Sequence, residues 1–322
     1  MPTPTLAPEV RELLAWDERL GRRLRDLSIS EQRQTIRAAL DELIEHLGMT
    51  APDVAEIGEH DVPVDGATIR LRTYTPRGRE PRGAFFHIHG GGFTLGGIDW
   101  AVNHLKCAHI AANAGCVVTT VDYRLAPEHP YPTAPRDCYA ALLWVVEHAA
   151  SLGIDPARIA VGGESAGGNL AAVTALTARD LGGPPLALQL LEVPVTDMSQ
   201  ESRRRPSMEL FGAGYGLDTA AIGGFTQLYL PAAEDREEPY ASPLIAADLT
   251  GVAPAHILTA EFDPLRDSGE AYADRLHSAG VTTTLRRFDG HTHGSSVLWQ
   301  TWNPAGEWMT DVVAALRAAT DG

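Results

Sequence analysis

Apolar residues recur with two different periods along this chain. In the first 50 residues the spacing is helical: within EQRQTIRAALDELIEHLG, Ile36, Leu40, Leu43 and Leu47 repeat every three or four positions, and Gly48 supplies a stop. From Glu56 the texture turns strand-like. VPVDGATIRLRTYTP predicts a hairpin turning at Asp65-Gly66, with Ile69, Leu71 and Thr73 alternating. Short apolar runs follow at 84–89, 116–123, 158–163, 187–193, 255–260 and 282–288. Helical segments separate them at about 101–114, 135–150, 167–180 and 266–279. Strands alternating with helices imply crossover connections and a parallel sheet. Right-handed crossovers favour an open, doubly wound sheet, and a closed barrel would need more repeats.

Residues 198–240 break this rhythm. They form a long, charged, glycine-bearing stretch between two strands, the kind of insertion that serves as a lid or binding segment. The expected organisation is an N-terminal helical cap segment over 1–55 and a core over 56–322, with a cap or lid insertion around 198–240. There is no internal repeat and no low-complexity tract.

Charge and cysteine content narrow the partners. The 322 residues carry a formal net charge of −16, which repels nucleic acid phosphates and anionic lipid. Cys107, Cys116 and Cys138 are scattered without CxxC spacing, which argues against a disulfide framework and for a reducing compartment. The N-terminus lacks the basic and apolar regions of a signal peptide, and no apolar stretch reaches the roughly 18–20 residues that span a bilayer. These features lead us to expect a cytoplasmic protein with no membrane insertion and no nucleic acid partner.

The chemistry concentrates at strand ends, where open parallel sheets gather their sites. Gly163-Glu164-Ser165-Ala166-Gly167 lies between a strand and a helix. A nucleophilic serine needs a sharp turn with small neighbours, and the helix that follows aims its N–H groups at developing negative charge. A glycine-rich packing turn is the plainer reading. His89-Gly90-Gly91-Gly92-Phe93 follows another strand, and its glycines let bare N–H groups approach an oxyanion; one such donor is worth about 3–4 kcal/mol. No GxxxxGK[ST] or GxGxxG motif supports a phosphate loop instead. A serine nucleophile also needs a general base and an orienting carboxylate. Asp263 and Asp267 follow one strand, and His291 and His293 follow the next.

With these motifs, the chain resembles the bacterial hormone-sensitive-lipase-like branch (family IV) of the α/β-hydrolases, and is most similar to the heroin esterase type of acyl esterase. The resemblance runs through HGGGF (89–93), DYRLAPEHPYP (122–132), GGESAGGNLA (162–171), PVTD (194–197), DPLRD (263–267) and the GxxHG at 290–294. It implies an α/β-hydrolase fold with a helical cap and a serine carboxylesterase acting on short-chain, acetyl-like esters, with a small-molecule ester as substrate. It also implies no cofactor and no metal, and admits a homodimer. By resemblance Ser165 is the nucleophile, Asp263 the orienting acid and His293 the base, with Gly91, Gly92 and Ala166 supplying the oxyanion hole. Asp267 sits farther into the helix, where it would cap or pair locally. Glu164 and Ser295 stand where many relatives carry Asp and Phe, which separates the implied chemistry from any implied substrate preference.

Two rival classes define tests. His87 with His89, and His291 with His293, form HxH pairs that a metal-dependent hydrolase could use, although His87 reads equally as a packed strand residue. The plant gibberellin receptor resembles this family but has lost the histidine and only binds its ligand; this sequence keeps Ser, Asp and His together. Asp137 reads as the anchor of a turn or helix start, and Glu164 as a solvated or salt-bridged neighbour of Ser165 rather than an acid catalyst. The Trp and Tyr residues read mostly as core, with some in the cap segment lining the acyl or alcohol pocket.

Overall fold

The computed structural model describes residues 6–78 and 82–321. Its eight strands form one sheet in the order β1-β2-β4-β3-β5-β6-β7-β8. The hairpin is β1 (Glu56–Val64) and β2 (Ala67–Thr75), with Gly66 at φ +72° in the turn, and β2 is antiparallel to its neighbours. The remaining strands run parallel: β3 (Arg82–Ile88), β4 (Val117–Val121), β5 (Ile154–Glu164), β6 (Leu188–Glu192), β7 (Ala255–Phe262) and β8 (Thr283–Thr292).

The central strands read as unbroken apolar runs because both faces are covered. Alternate residues feed two cores. Phe86, Ile88, Val161, Leu191 and Ile257 face one side, which is covered by α4 (Thr133–Glu147), α5 (Ala166–Asp180) and α8 (Arg266–Ser278). Phe85, Ala160, Leu190 and Leu258 face the other, under α3 (Ala101–Ala114) and α9 (Asn303–Thr320). The strand-and-helix rhythm of the sequence thus becomes three layers.

The N-terminal segment contributes α1 (Pro8–Leu24) and α2 (Ile29–His46). Pro8 opens α1 at a position where its missing N–H costs nothing. Ser28 and Glu31 cap α2 reciprocally: the Ser28 N–H donates to the Glu31 carboxylate at 2.8 Å, and the Glu31 N–H to Ser28 Oγ at 3.4 Å. Val10, Leu13, Leu43 and Ile44 are buried against the core on the α3/α9 side. Arg33 of α2 then reaches the loops beyond β3 and β4, donating to the carbonyls of Thr94 (2.7 Å) and Ala126 (2.8 Å) and pairing with Glu128. Within 198–240 lie α6 (Pro206–Phe211), α7 (Thr219–Tyr229) and two 3₁₀ turns.

Two features depart from the sequence reading. Helix α9, which covers the sheet, falls after the last apolar run and outside the strand–helix alternation that the reading followed. Strand β8 continues to Thr292, so His291 lies inside the strand and only His293 lies beyond it. Residues with little strand propensity, such as Asp289 and Gly290, disguise that extension, although its backbone still pairs with β7 at Phe262 and Thr292.

Candidate active site

Ser165, Asp263 and His293 each stand immediately beyond the C-terminal end of a parallel strand, β5, β7 and β8 respectively. Between β5 and α5 the chain reverses so sharply that Ser165 takes φ 58° and ψ −115°, a region that side-chain-bearing residues seldom occupy. The turn is held on both sides: the Ser165 N–H donates to the Glu192 carbonyl at 2.9 Å, and its carbonyl accepts from Asn169 at 3.0 Å. The glycines of the motif are a steric requirement. A methyl group on Gly163 would collide with the Ile88 carbonyl and lie 2.7 Å from Gly167, and one on Gly167 would lie 2.6 Å from the His89 carbonyl.

The three side chains form one hydrogen-bonded chain. Ser165 Oγ lies 3.0 Å from His293 Nε2, and His293 Nδ1 lies 2.9 Å from Asp263 Oδ2. The carboxylate accepts only, so Nδ1 carries the proton and Nε2 is left as the acceptor for the serine hydroxyl. Asp263 is fully buried, and its other oxygen accepts the Leu265 N–H at 2.8 Å. Burial acts to lower the pKa of His293, but the adjacent Asp263 charge and hydrogen bond outweigh it and hold the imidazole above its usual 6.5.

Gly91 and Gly92, at φ 117° and 59°, line the same cavity as Ser165. Together with Ala166 at the start of α5, their N–H groups find no acceptor among the described residues. The ring of Phe225 from α7 covers Gly92 so closely that an added methyl group would lie 2.6 Å from it. Tyr123 supports the loop from beneath, donating to the His89 carbonyl at 3.0 Å and stacking on the His89 ring.

The other candidates have separate places. Asp267 accepts the Ser207 N–H at 2.8 Å and pairs with Arg266, tying α6 to α8. His291 is buried, with a pKa lowered by burial to about 4, and meets Ser295 Oγ at 2.9 Å. Ser295 also accepts the Thr292 N–H, so it braces the loop that carries His293. His87 packs near Thr120 and Cys107, and His89 turns to its neighbouring Gly90 carbonyl. Asp137 binds the Arg124 guanidinium and main-chain N–H, fixing the 122–132 loop. Among the described residues, no group of three or more His, Cys, Asp or Glu side chains is gathered to hold a metal ion. No helix of the described residues is long and apolar enough to cross a membrane.

An ion cluster adjoins Ser165. Lys106 of α3 is 5% exposed, with Nζ 3.0 Å from Glu164 and 2.8 Å from Glu192, and Trp308 Nε1 donates to Glu192 at 2.7 Å. Of the two expectations for Glu164, solvated or salt-bridged, the second holds: it pairs with Lys106, which also pairs with Glu192, and the motif reveals neither residue. Residue parity carried the signal: Ala160, Gly162 and Glu164 share a face of β5, as Leu188, Leu190 and Glu192 do of β6, and that face meets α3.

A cavity of about 350 Å³ opens over Ser165 and is mostly apolar, with Leu13, Trp16 and Asp17 from α1, Leu40 and Leu43 from α2 and Phe225 from α7 among its walls. Trp16 agrees with the expectation that some tryptophan and tyrosine side chains of the N-terminal segment line the pocket, whereas the contributions of Asp17 and Phe225 are not legible in the sequence. Nothing in their local pattern reports contact with residues more than a hundred positions away.

Comparison with known proteins matches residues 85–296 to the α/β hydrolase fold family. The carboxylic ester hydrolase LipN of Mycobacterium tuberculosis is 38% identical over 98% of this chain and 83% of its own length. The ethyl acetate hydrolase of Pseudomonas putida is 40% identical over 79% of each chain. Among solved structures, the hyperthermophilic esterase of Pyrobaculum calidifontis superposes with a TM-score of 0.90 at 34% identity, covering 98% of this chain and 99% of that one.

Proposed function

The chain belongs to the α/β hydrolase fold family, and on that premise we propose that it is a serine carboxylesterase that hydrolyses short-chain acyl esters through an acyl-enzyme. The observation that carries the reading is the continuous hydrogen-bond chain from Ser165 through His293 to Asp263, at 3.0 and 2.9 Å.

In acylation, His293 Nε2 removes the hydroxyl proton as Ser165 Oγ attacks the ester carbonyl carbon. The carbonyl oxygen becomes an oxyanion held by the N–H groups of Gly91, Gly92 and Ala166. Asp263 keeps the imidazole in the required tautomer and stabilises its cationic form. The tetrahedral species collapses, the carbon–oxygen bond to the alcohol breaks, and His293 returns its proton to the departing oxygen. Water then enters. His293 takes one of its protons as the oxygen adds to the acyl carbon; the bond from that carbon to Ser165 Oγ then breaks, His293 returns the proton to Oγ, and the carboxylic acid leaves.

Two observations favour small acyl groups: the limited cavity of about 350 Å³, shared between acyl and alcohol parts, and the likeness to an ethyl acetate hydrolase. The test is a series of p-nitrophenyl esters from acetyl to dodecanoyl. We expect kcat/KM to peak at the short end and to fall about 10⁴-fold or more in Ser165→Ala and His293→Ala, with folds intact by circular dichroism. Retention of most activity in either variant contradicts the mechanism, and a maximum at long chains contradicts the substrate assignment.

A further inference from the structure

The cap places one charged side chain in an otherwise apolar part of the cavity. Asp17 sits on the inner side of α1, lining the cavity with Trp16 beside it and Trp100 and Phe225 among the other aromatic walls. Among the described residues Asp17 has no hydrogen-bond or ion-pair partner, and its carboxylate lies 3.4 Å from where a methyl group on Gly216 would stand, lodged between α1 and the 198–240 segment. We propose that Asp17 and the aromatic walls bind a positively charged group on the alcohol portion of the substrate, making esters of amino alcohols the favoured substrate class. This inference rests on the carboxylesterase reading above.

Three arguments support it. The first is placement: Asp17 and His293 line the same cavity. A general acid must stand beside the oxygen it protonates, so the cavity that Asp17 shares with His293 is the one that receives the leaving alcohol. The second is chemistry. A carboxylate with no hydrogen-bonded or salt-bridged cation among the described residues, in a cavity also walled by tryptophan and phenylalanine, matches the needs of an ammonium ion, which is attracted to both an anion and the faces of aromatic rings. Burial raises the Asp17 carboxyl to about 6, with His293 opposing the rise, so it is ionised above that pH and awaits a cation. The third is the surrounding charge. Glu164 and Glu192 outnumber Lys106 at the inner wall, and the whole chain carries −16, so the field draws cations toward the cavity.

The test compares acetylcholine with 3,3-dimethylbutyl acetate, which has nearly the same shape without the charge, at pH 8 and low salt. The readout is the ratio of kcat/KM for the two esters within each protein, so a general loss of activity cancels. We expect a ratio of about ten in the unaltered protein, falling close to one in Asp17→Asn and returning in Asp17→Glu. A ratio near one in the unaltered protein, or one unmoved by Asp17→Asn, overturns the proposal. Failure to hydrolyse either ester counts against the esterase reading instead. In that case calorimetry with choline and Ser165→Ala protein decides the matter: binding that disappears on adding Asp17→Asn supports the cation site, and no binding overturns it.

Discussion

His293 is governed by opposing influences. Burial favours its neutral form, whereas Asp263, with Glu164 and Asp17 behind it, favours the imidazolium and prevails. A general base works only when neutral, so kcat/KM for a neutral ester should rise with pH through a midpoint above 6.5 and fall away below it. Glu164→Gln removes one anion that favours protonation, so the midpoint should move to lower pH. A pH profile with an unmoved or raised midpoint in that variant contradicts this electrostatic account. The same residues show how far local sequence speaks. Ser165 and its flanking glycines were legible because a reversal this tight admits few residue types. Asp17 was not, because its role depends on what α1 packs against.

At the scale of elements, the sheet was legible because unbroken apolar runs and strand–helix alternation follow directly from packing helices on both faces. Helix α9 and the end of β8 were harder. The first is placed by long-range contact with the α3 side of the sheet, and the second is continued by backbone pairing through residues with little strand character. The ends of β5 and β6 carry an energetic consequence. Glu164 and Glu192 are register partners on these strands, and Lys106 bridges them from α3. Lys106→Met leaves two neighbouring carboxylates without a counter-charge and should cost about 3–5 kcal/mol in urea unfolding. Adding Glu164→Gln and Glu192→Gln should restore most of that loss, because the uncompensated charges are then gone. A Lys106→Met loss below about 1 kcal/mol would remove the cluster from the account of how the nucleophile turn is held.

At the scale of the molecule, the fold brings residues 128 and 30 positions apart into one chain of hydrogen bonds. Side chains of α1, α2 and α7 line the cavity above it, with α2 fastened through Arg33 to the loops beyond β3 and β4. The proposed chemistry depends on that convergence making a single hydroxyl reactive towards acyl groups. Acid-quenched mass spectrometry of the protein mixed with p-nitrophenyl acetate tests this most directly. The account requires one acetyl group on the peptide bearing Ser165, appearing with the burst of p-nitrophenol and absent from Ser165→Ala. Turnover with no acetyl group at that position, or an equal burst from Ser165→Ala, would contradict it.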